Sequence, residues 1–173
     1  MLTPPWIAVA VLALVATGWD FRTRRIPNLL TLGGALAAWL YYGVAGGAGA
    51  LGWSGLGWLV GVLLFIPVFA LGGLGAGDVK LIAAFGAWLG PTDVLWVAIY
   101  TAIAGGALAL VVSTVRGYLG TALRNIYNML MFWRVMGVQP VPDLTLGTSP
   151  GPRLTYALPL AVGAALTFWM RRP

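Results

Sequence analysis

The sequence predicts an all-α integral membrane protein of six transmembrane helices, with a cytoplasmic amphipathic segment between the fifth and sixth. Three observations carry that expectation. Of the 173 residues, 60% are hydrophobic and only 8% charged, against roughly a quarter charged in soluble domains. Apolar runs recur from end to end, separated by Gly-rich breaks at 45–50, 72–77 and 90–92. Within lipid, every backbone N–H and C=O must find a partner inside its own segment or barrel, so apolar runs of this kind are expected to be helices.

The segments fall at about 4–19, 29–44, 51–71, 79–89, 94–115 and 154–170, forming one polytopic domain over 1–173 without an internal repeat. The first run could be a signal peptide, with Ala16-Thr17-Gly18 as a loose cleavage site. However, residues 1–5 carry no basic side chain and the charges Arg22, Arg24 and Arg25 follow the run. A retained first helix is therefore expected.

Charge orients the chain. Lys80 follows the third segment, and Arg116, Arg124, Arg134 and Arg153 lie between the fifth and sixth, while 45–50 and 90–93 contain no Lys or Arg. The positive-inside rule then puts the Arg-rich loops in the cytoplasm and the N-terminus outside. Arg171 and Arg172 fall on the outer side, against the rule. The net charge of +6 is explained by anionic headgroups and topology, and no nucleic-acid partner is expected.

Between the fifth and sixth segments, Leu119, Leu123, Ile126, Tyr127 and Leu130 recur at helical spacing with Arg124, Asn125 and Asn128 between them. That pattern suggests a helix lying in the membrane interface, followed by a Pro- and Gly-rich loop over 139–152. It is either a surface anchor, which the pattern favours, or a cover over the active site.

With no Cys and no His, disulfides, Cys- or His-based metal and haem sites, and Cys–His or Ser–His nucleophiles are excluded. No metal and no organic cofactor is expected. Acid–base chemistry must draw on four acidic residues, Asp20, Asp78, Asp93 and Asp143, on Lys80, or on tyrosines. Asp20 closes the first segment and Asp78 opens the fourth, so both are expected at the cytoplasmic edge of the membrane. Each has a structural alternative. Asp78 could be only a helix N-cap, and Asp20 only a boundary residue paired with Arg22 or Arg24. Asp93 fits an external N-cap, and Asp143 sits solvated in the Pro-rich loop. The segment 79–89 favours a function for Asp78. It is about 17 Å long, short of the roughly 30 Å bilayer core, which draws Asp78 toward membrane depth, where an ionisable group is a functional candidate.

Two stretches carry a resemblance. Gly75-Ala76-Gly77-Asp78 is the GxGD signature of a class of membrane aspartyl proteases. The longer GGLGAGDVKL, with the upstream DFRTRRIPN beginning at Asp20, resembles the type IV prepilin peptidase family, in particular its short Tad/Cpa-type and preflagellin-peptidase branch. The stretch 156–161 is similar to that family's final helix. The resemblance implies an aspartic endopeptidase in which Asp20 and Asp78 activate water, supported by Gly75, Gly77 and Lys80. Its substrates are expected to be prepilin-like precursors with a basic leader and a hydrophobic helix, cut at the cytoplasmic face of the inner membrane. Lys80 either stabilises developing negative charge or snorkels to the interface. Arg25, Pro27 and Asn28 either shape the leader's path or set the start of the second helix. Larger members of the family carry a domain with paired CxxC motifs and N-methylate the product; without cysteine, that second activity is not expected. The rival class is a small transporter, channel subunit or assembly scaffold using the same aspartates for ions or protons. A different GxGD protease, such as a signal-peptide peptidase, is disfavoured by chain length and by the RRIPN run.

Overall fold

The computed structural model describes residues 3–141, 144–145 and 155–171. The chain forms five helices in the order α1 (Pro4–Thr23), α2 (Asn28–Ala70), α3 (Ala76–Val115), α4 (Leu119–Met136) and α5 (Ala157–Met170). There is no strand among the described residues. Three of the helices, α1, α2 and α3, are long and apolar enough to cross a membrane, and α5 is a shorter apolar helix. These apolar helices mark a membrane protein whose regular structure, among the described residues, is all helical.

At 43 and 40 residues, α2 and α3 would each run about 60 Å if straight, twice a bilayer core. Neither is straight. Gly47 (φ 67°, ψ −162°) interrupts α2 and Gly90 (φ 79°, ψ 174°) interrupts α3. That combination of angles is open essentially to glycine alone. Beyond Gly90 comes Pro91, which lacks an N–H and so suits the opening of the helix that follows. The sequence reading expects loops at 45–50 and 90–92 between separate segments. Here the expected second and third segments, and the fourth and fifth, are joined through single glycines, because one residue in this conformation redirects a helix without a loop.

Both helices fold back at these points. Trp39 and Trp58, on opposite sides of Gly47, pack edge to face at 5.9 Å. Trp88 Nε1 donates to the Gly34 carbonyl (2.9 Å), and the Tyr42 hydroxyl donates to the Trp88 carbonyl (2.7 Å). Ser54 donates to the Ala87 carbonyl (2.6 Å), so both arms of α2 grip the first arm of α3. That arm forms the core: Leu81, Ile82, Ala83, Ala84, Phe85 and Ala87 are fully buried. Small residues allow it. The backbones of Gly57 and Gly86 meet directly, and a Cβ at Gly61 would lie 2.8 Å from the Ala83 Cα, the close approach by which helices associate in lipid. On the other side, Gly163 of α5 presses against Thr101 in the second arm of α3.

A helix does form in the expected amphipathic segment, but α4 has no buried residue, and Leu123, Ile126, Tyr127 and Leu130 are all exposed. The expectations that fall on Asp143, Arg153, Leu154 and Arg172 lie outside the described residues.

Candidate active site

The buried face of α1 repeats at helical spacing through Val9, Leu12, Ala13, Ala16 and Asp20. A carboxylate therefore continues an apolar stripe into the helix interior of the protein, where Asp20 is only 8% exposed. The helix stops just beyond. Arg24 adopts a left-handed conformation (φ 53°), and its N–H donates to the Asp20 carbonyl at 2.9 Å. Arg24 is the non-glycine residue with positive φ among those described. Its charge also acts on Asp20.

Asp78 is placed by the glycines before it. At the end of α2, the Gly73 N–H bonds to the Val68 carbonyl and the Gly72 N–H to the Phe69 carbonyl, with Gly72 at φ 79°. This is a Schellman ending, which requires a left-handed residue at that point. The chain re-enters a helix at once, with Gly75 as N-cap. The sequence reading places this segment at about 79–89, too short to span unless it begins earlier or sits in a thinned region, with an N-cap as one alternative for Asp78. The helix opens at Ala76 instead, so Asp78 lies inside its first turn and is partly buried. Its Oδ2 reaches back to accept the Gly75 N–H at 3.1 Å, satisfying one of the donors that a helix start leaves open. A Cβ at Gly75 would lie 3.2 Å from that oxygen, and one at Gly77 would lie 3.1 Å from Ile26 Cβ in the α1–α2 turn. The two glycines of the motif are thus clearances: one for the carboxylate and one for the neighbouring loop.

α5 brings the two aspartates into one site. Ala157 is its first residue, and the preceding cap position, Tyr156, offers no side-chain cap. The backbone of Ala157 acts on the Asp20 carboxylate in favour of its charge, as does the positive end of α5. Asp20 and Asp78 lie close enough to feel each other's charge. The Tyr156 ring packs on Phe65 at 6.4 Å, its hydroxyl lies beside Gly105, and the charge of Asp78 reaches its phenol. Thr17, one turn before Asp20, donates its hydroxyl to the Ala157 carbonyl at 3.3 Å. Sequence reasoning misses Thr17, Tyr156 and Ala157 as neighbours of the aspartates. The only hint is the 156–161 stretch, and nothing in it identifies a backbone N–H as a partner.

The other expected residues are divided. Lys80 Nζ donates to Asn28 Oδ1 at 2.8 Å, tying the starts of α2 and α3 together. Pro27 is the N-cap of α2, and Arg25 is exposed in the turn before it, its carbonyl accepting the Thr23 hydroxyl. Lys80 also lines an open apolar groove of about 250 Å³ with Thr31, Trp58, Val62, Ile66 and Phe69. Asp93 is not a cap. It lies in the first turn after Gly90 and pairs with Arg171 at 3.0 Å. No cluster of three His, Cys, Asp or Glu residues that could hold a metal occurs among the described residues.

Asp20 thus lies near the end of one helix and Asp78 at the start of another. The type IV leader peptidase family matches residues 7–110, more than half of the chain and a span that includes both aspartates, and the chain belongs to that family. Two relatives from Burkholderia pseudomallei, strains 1026b and K96243, both named prepilin leader peptidase/N-methyltransferase, are each 36% identical over 118 residues. The match covers 64% of this chain and 37% of each relative, little more than a third of their length. No solved structure matches.

Proposed function

We propose that this chain is an aspartic endopeptidase that removes the leader of prepilin-like precursors, with Asp20 and Asp78 as the catalytic pair. One observation carries the reading: two carboxylates 58 positions apart in the sequence, on different helices, both sit within the largely apolar bundle beside the start of α5, where the charge of Asp20 acts on Asp78. In the reacting arrangement the two carboxylates share one proton, since two like charges in one site cannot both ionise cheaply. The ionised partner takes a proton from a water that attacks the scissile carbonyl. The protonated partner polarises that carbonyl and then protonates the leaving amine. Family membership and the relatives' names support prepilin-like substrates. The basic leader would lie in water and the hydrophobic helix in lipid.

The same reading has the chain crossing the inner membrane six times as a single peptidase domain, with α2 and α3 each contributing two crossings around Gly47 and Gly90. α4 lies in the interface, and the aspartates open to the cytoplasmic face, where Arg22, Arg24, Arg25 and Lys80 gather. The activity is proteolysis without methyl transfer. Gly75 and Gly77 support the pair by clearance and Lys80 by its bond to Asn28, while Arg25, Pro27 and Asn28 border the leader's path.

The test is cleavage of a precursor with a basic leader in membranes containing the protein. Asp20→Asn and Asp78→Asn are each expected to abolish cleavage while membrane insertion persists. Asp93→Asn, which loses only a partly exposed pair with Arg171 worth little, is expected to cleave normally. Normal processing by the Asp78→Asn protein would overturn the peptidase reading in favour of ion or proton binding.

A further inference from the structure

Thr17 and Asp20 sit one turn apart on α1 and both meet the first residue of α5. The Thr17 hydroxyl donates to the carbonyl of Ala157 at 3.3 Å, and the N–H of that residue, one of those a helix start leaves open, acts on the carboxylate of Asp20. The contact is partly buried: Thr17 is half-buried, and Ala157, which it holds, is 0% exposed. It is made between segments 140 positions apart and closes the end of α5 that lacks a cap of its own. The neighbouring Tyr156 is wedged between Phe65 and Gly105, so the start of α5 cannot slide along α1 without disturbing both contacts.

We infer that Thr17 is a positioning residue for the peptidase, fixing Ala157 so that its N–H aims the carboxylate of Asp20 toward Asp78. This inference rests on the catalytic reading of Asp20 and adds a residue that reading does not need. A carboxylate on a helix can rotate about two side-chain bonds, and a single backbone donor aligns it only if that donor is itself held. Thr17 holds it through the carbonyl of the donor's own residue. Without the hydroxyl, Ala157 would keep its ordinary helical partner, α5 would still pack, and the Asp20 carboxylate would wander from the shared-proton geometry. Loss of alignment costs the reacting complex and leaves substrate binding untouched.

The experiment compares wild type, Thr17→Val and Thr17→Ser in detergent or proteoliposomes, using a prepilin-like precursor, with Asp78→Asn alongside. Val keeps the branched shape and loses the hydroxyl; Ser keeps the hydroxyl. The expected result is a fall in kcat of about tenfold for Thr17→Val, the size of one lost hydrogen bond acting in the reacting complex, with KM and thermal unfolding unchanged and with Ser restoring most of kcat. Wild-type kcat in Thr17→Val would overturn the inference, and so would a loss that Ser does not rescue or that follows a lower unfolding temperature. If Asp78→Asn also cleaves normally, the catalytic reading fails first. If Asp78→Asn is dead while Thr17→Val is unimpaired, only the role of Thr17 is withdrawn.

Discussion

Gly77 stands immediately before Asp78 and faces Ile26, and its missing side chain decides how near the α1–α2 turn can come to the start of α3. A methyl there would sit 3.1 Å from Ile26 Cβ, closer than packed carbons tolerate without a shift of a few tenths of an ångström. Gly77→Ala is expected to move the turn, and with it Asp20 relative to Asp78, lowering precursor cleavage several-fold with insertion intact. Removing the obstruction supplies the check. Ile26→Ala combined with Gly77→Ala should regain a large part of the lost rate, a non-additivity expected only for residues in contact; strictly additive losses would show that the clearance is not what the glycine provides. At this scale the sequence is legible where chemistry is scarce. With only four acids and no His or Cys, Asp20 and Asp78 stand out, and both occupy helix ends here. Thr17 and Ala157 are not legible. Their contact uses a backbone carbonyl 140 positions away, and no side-chain pattern records a backbone partner.

Helix pairing shows the same division between what spacing reveals and what it hides. The arms of α2 and α3 meet where Gly57 and Gly86 abut, with Gly61 against Ala83 one turn further on. Gly55, two residues away, has nothing within 4 Å of where a Cβ would be. Gly57→Ala is therefore expected to force the two backbones apart and to cost about 2 kcal/mol or more, seen as a lower unfolding temperature in detergent, whereas Gly55→Ala should match or slightly exceed wild type, since alanine is the better helix former. Equal unfolding temperatures for the two variants would mean that the helices are not packed through Gly57. Hydropathy locates each of these helices to within a few residues, since a run of apolar side chains is a property of the run itself. It cannot reveal that 29–44 joins 51–71, or 79–89 joins 94–115, through one glycine. Six glycines or alanines fill 45–50, and the choice of Gly47 as the hinge follows from tertiary packing. The same blindness moved the expected start of the fourth segment from Ala76 to Val79, because Ala and Gly carry little hydropathy signal at a helix opening.

For the whole molecule, the arrangement of ends makes the sharpest prediction. The fold gathers the end of α1, the start of α2 and the start of α3 on one side, linked by Ile26 against Gly77 and by Lys80 to Asn28. The turn at Gly90 and the end of α5 lie together on another, linked by Asp93 and Arg171 and by Arg171 over the Trp96 ring at 5.8 Å. Basic residues flank the first side, so the proposed orientation puts it in the cytoplasm, and it puts Arg171 outside only because Asp93 is there to pair with it. The chain contains no cysteine, so single cysteines report position without background. Arg22→Cys and Arg116→Cys, both at exposed positions, are expected to react with a membrane-impermeant maleimide only after the cells are broken. Ala48→Cys, beside the Gly47 hinge, and Thr92→Cys, beside the Gly90 hinge, are exposed as well and are expected to react in intact spheroplasts. If Ala48→Cys and Arg22→Cys label from the same side, then α2 does not cross twice and the six-crossing arrangement fails, whatever the fate of the aspartates. If all four labels invert, the crossings stand, but Asp20 and Asp78 open to the outer face, and a cytoplasmic leader could not reach them.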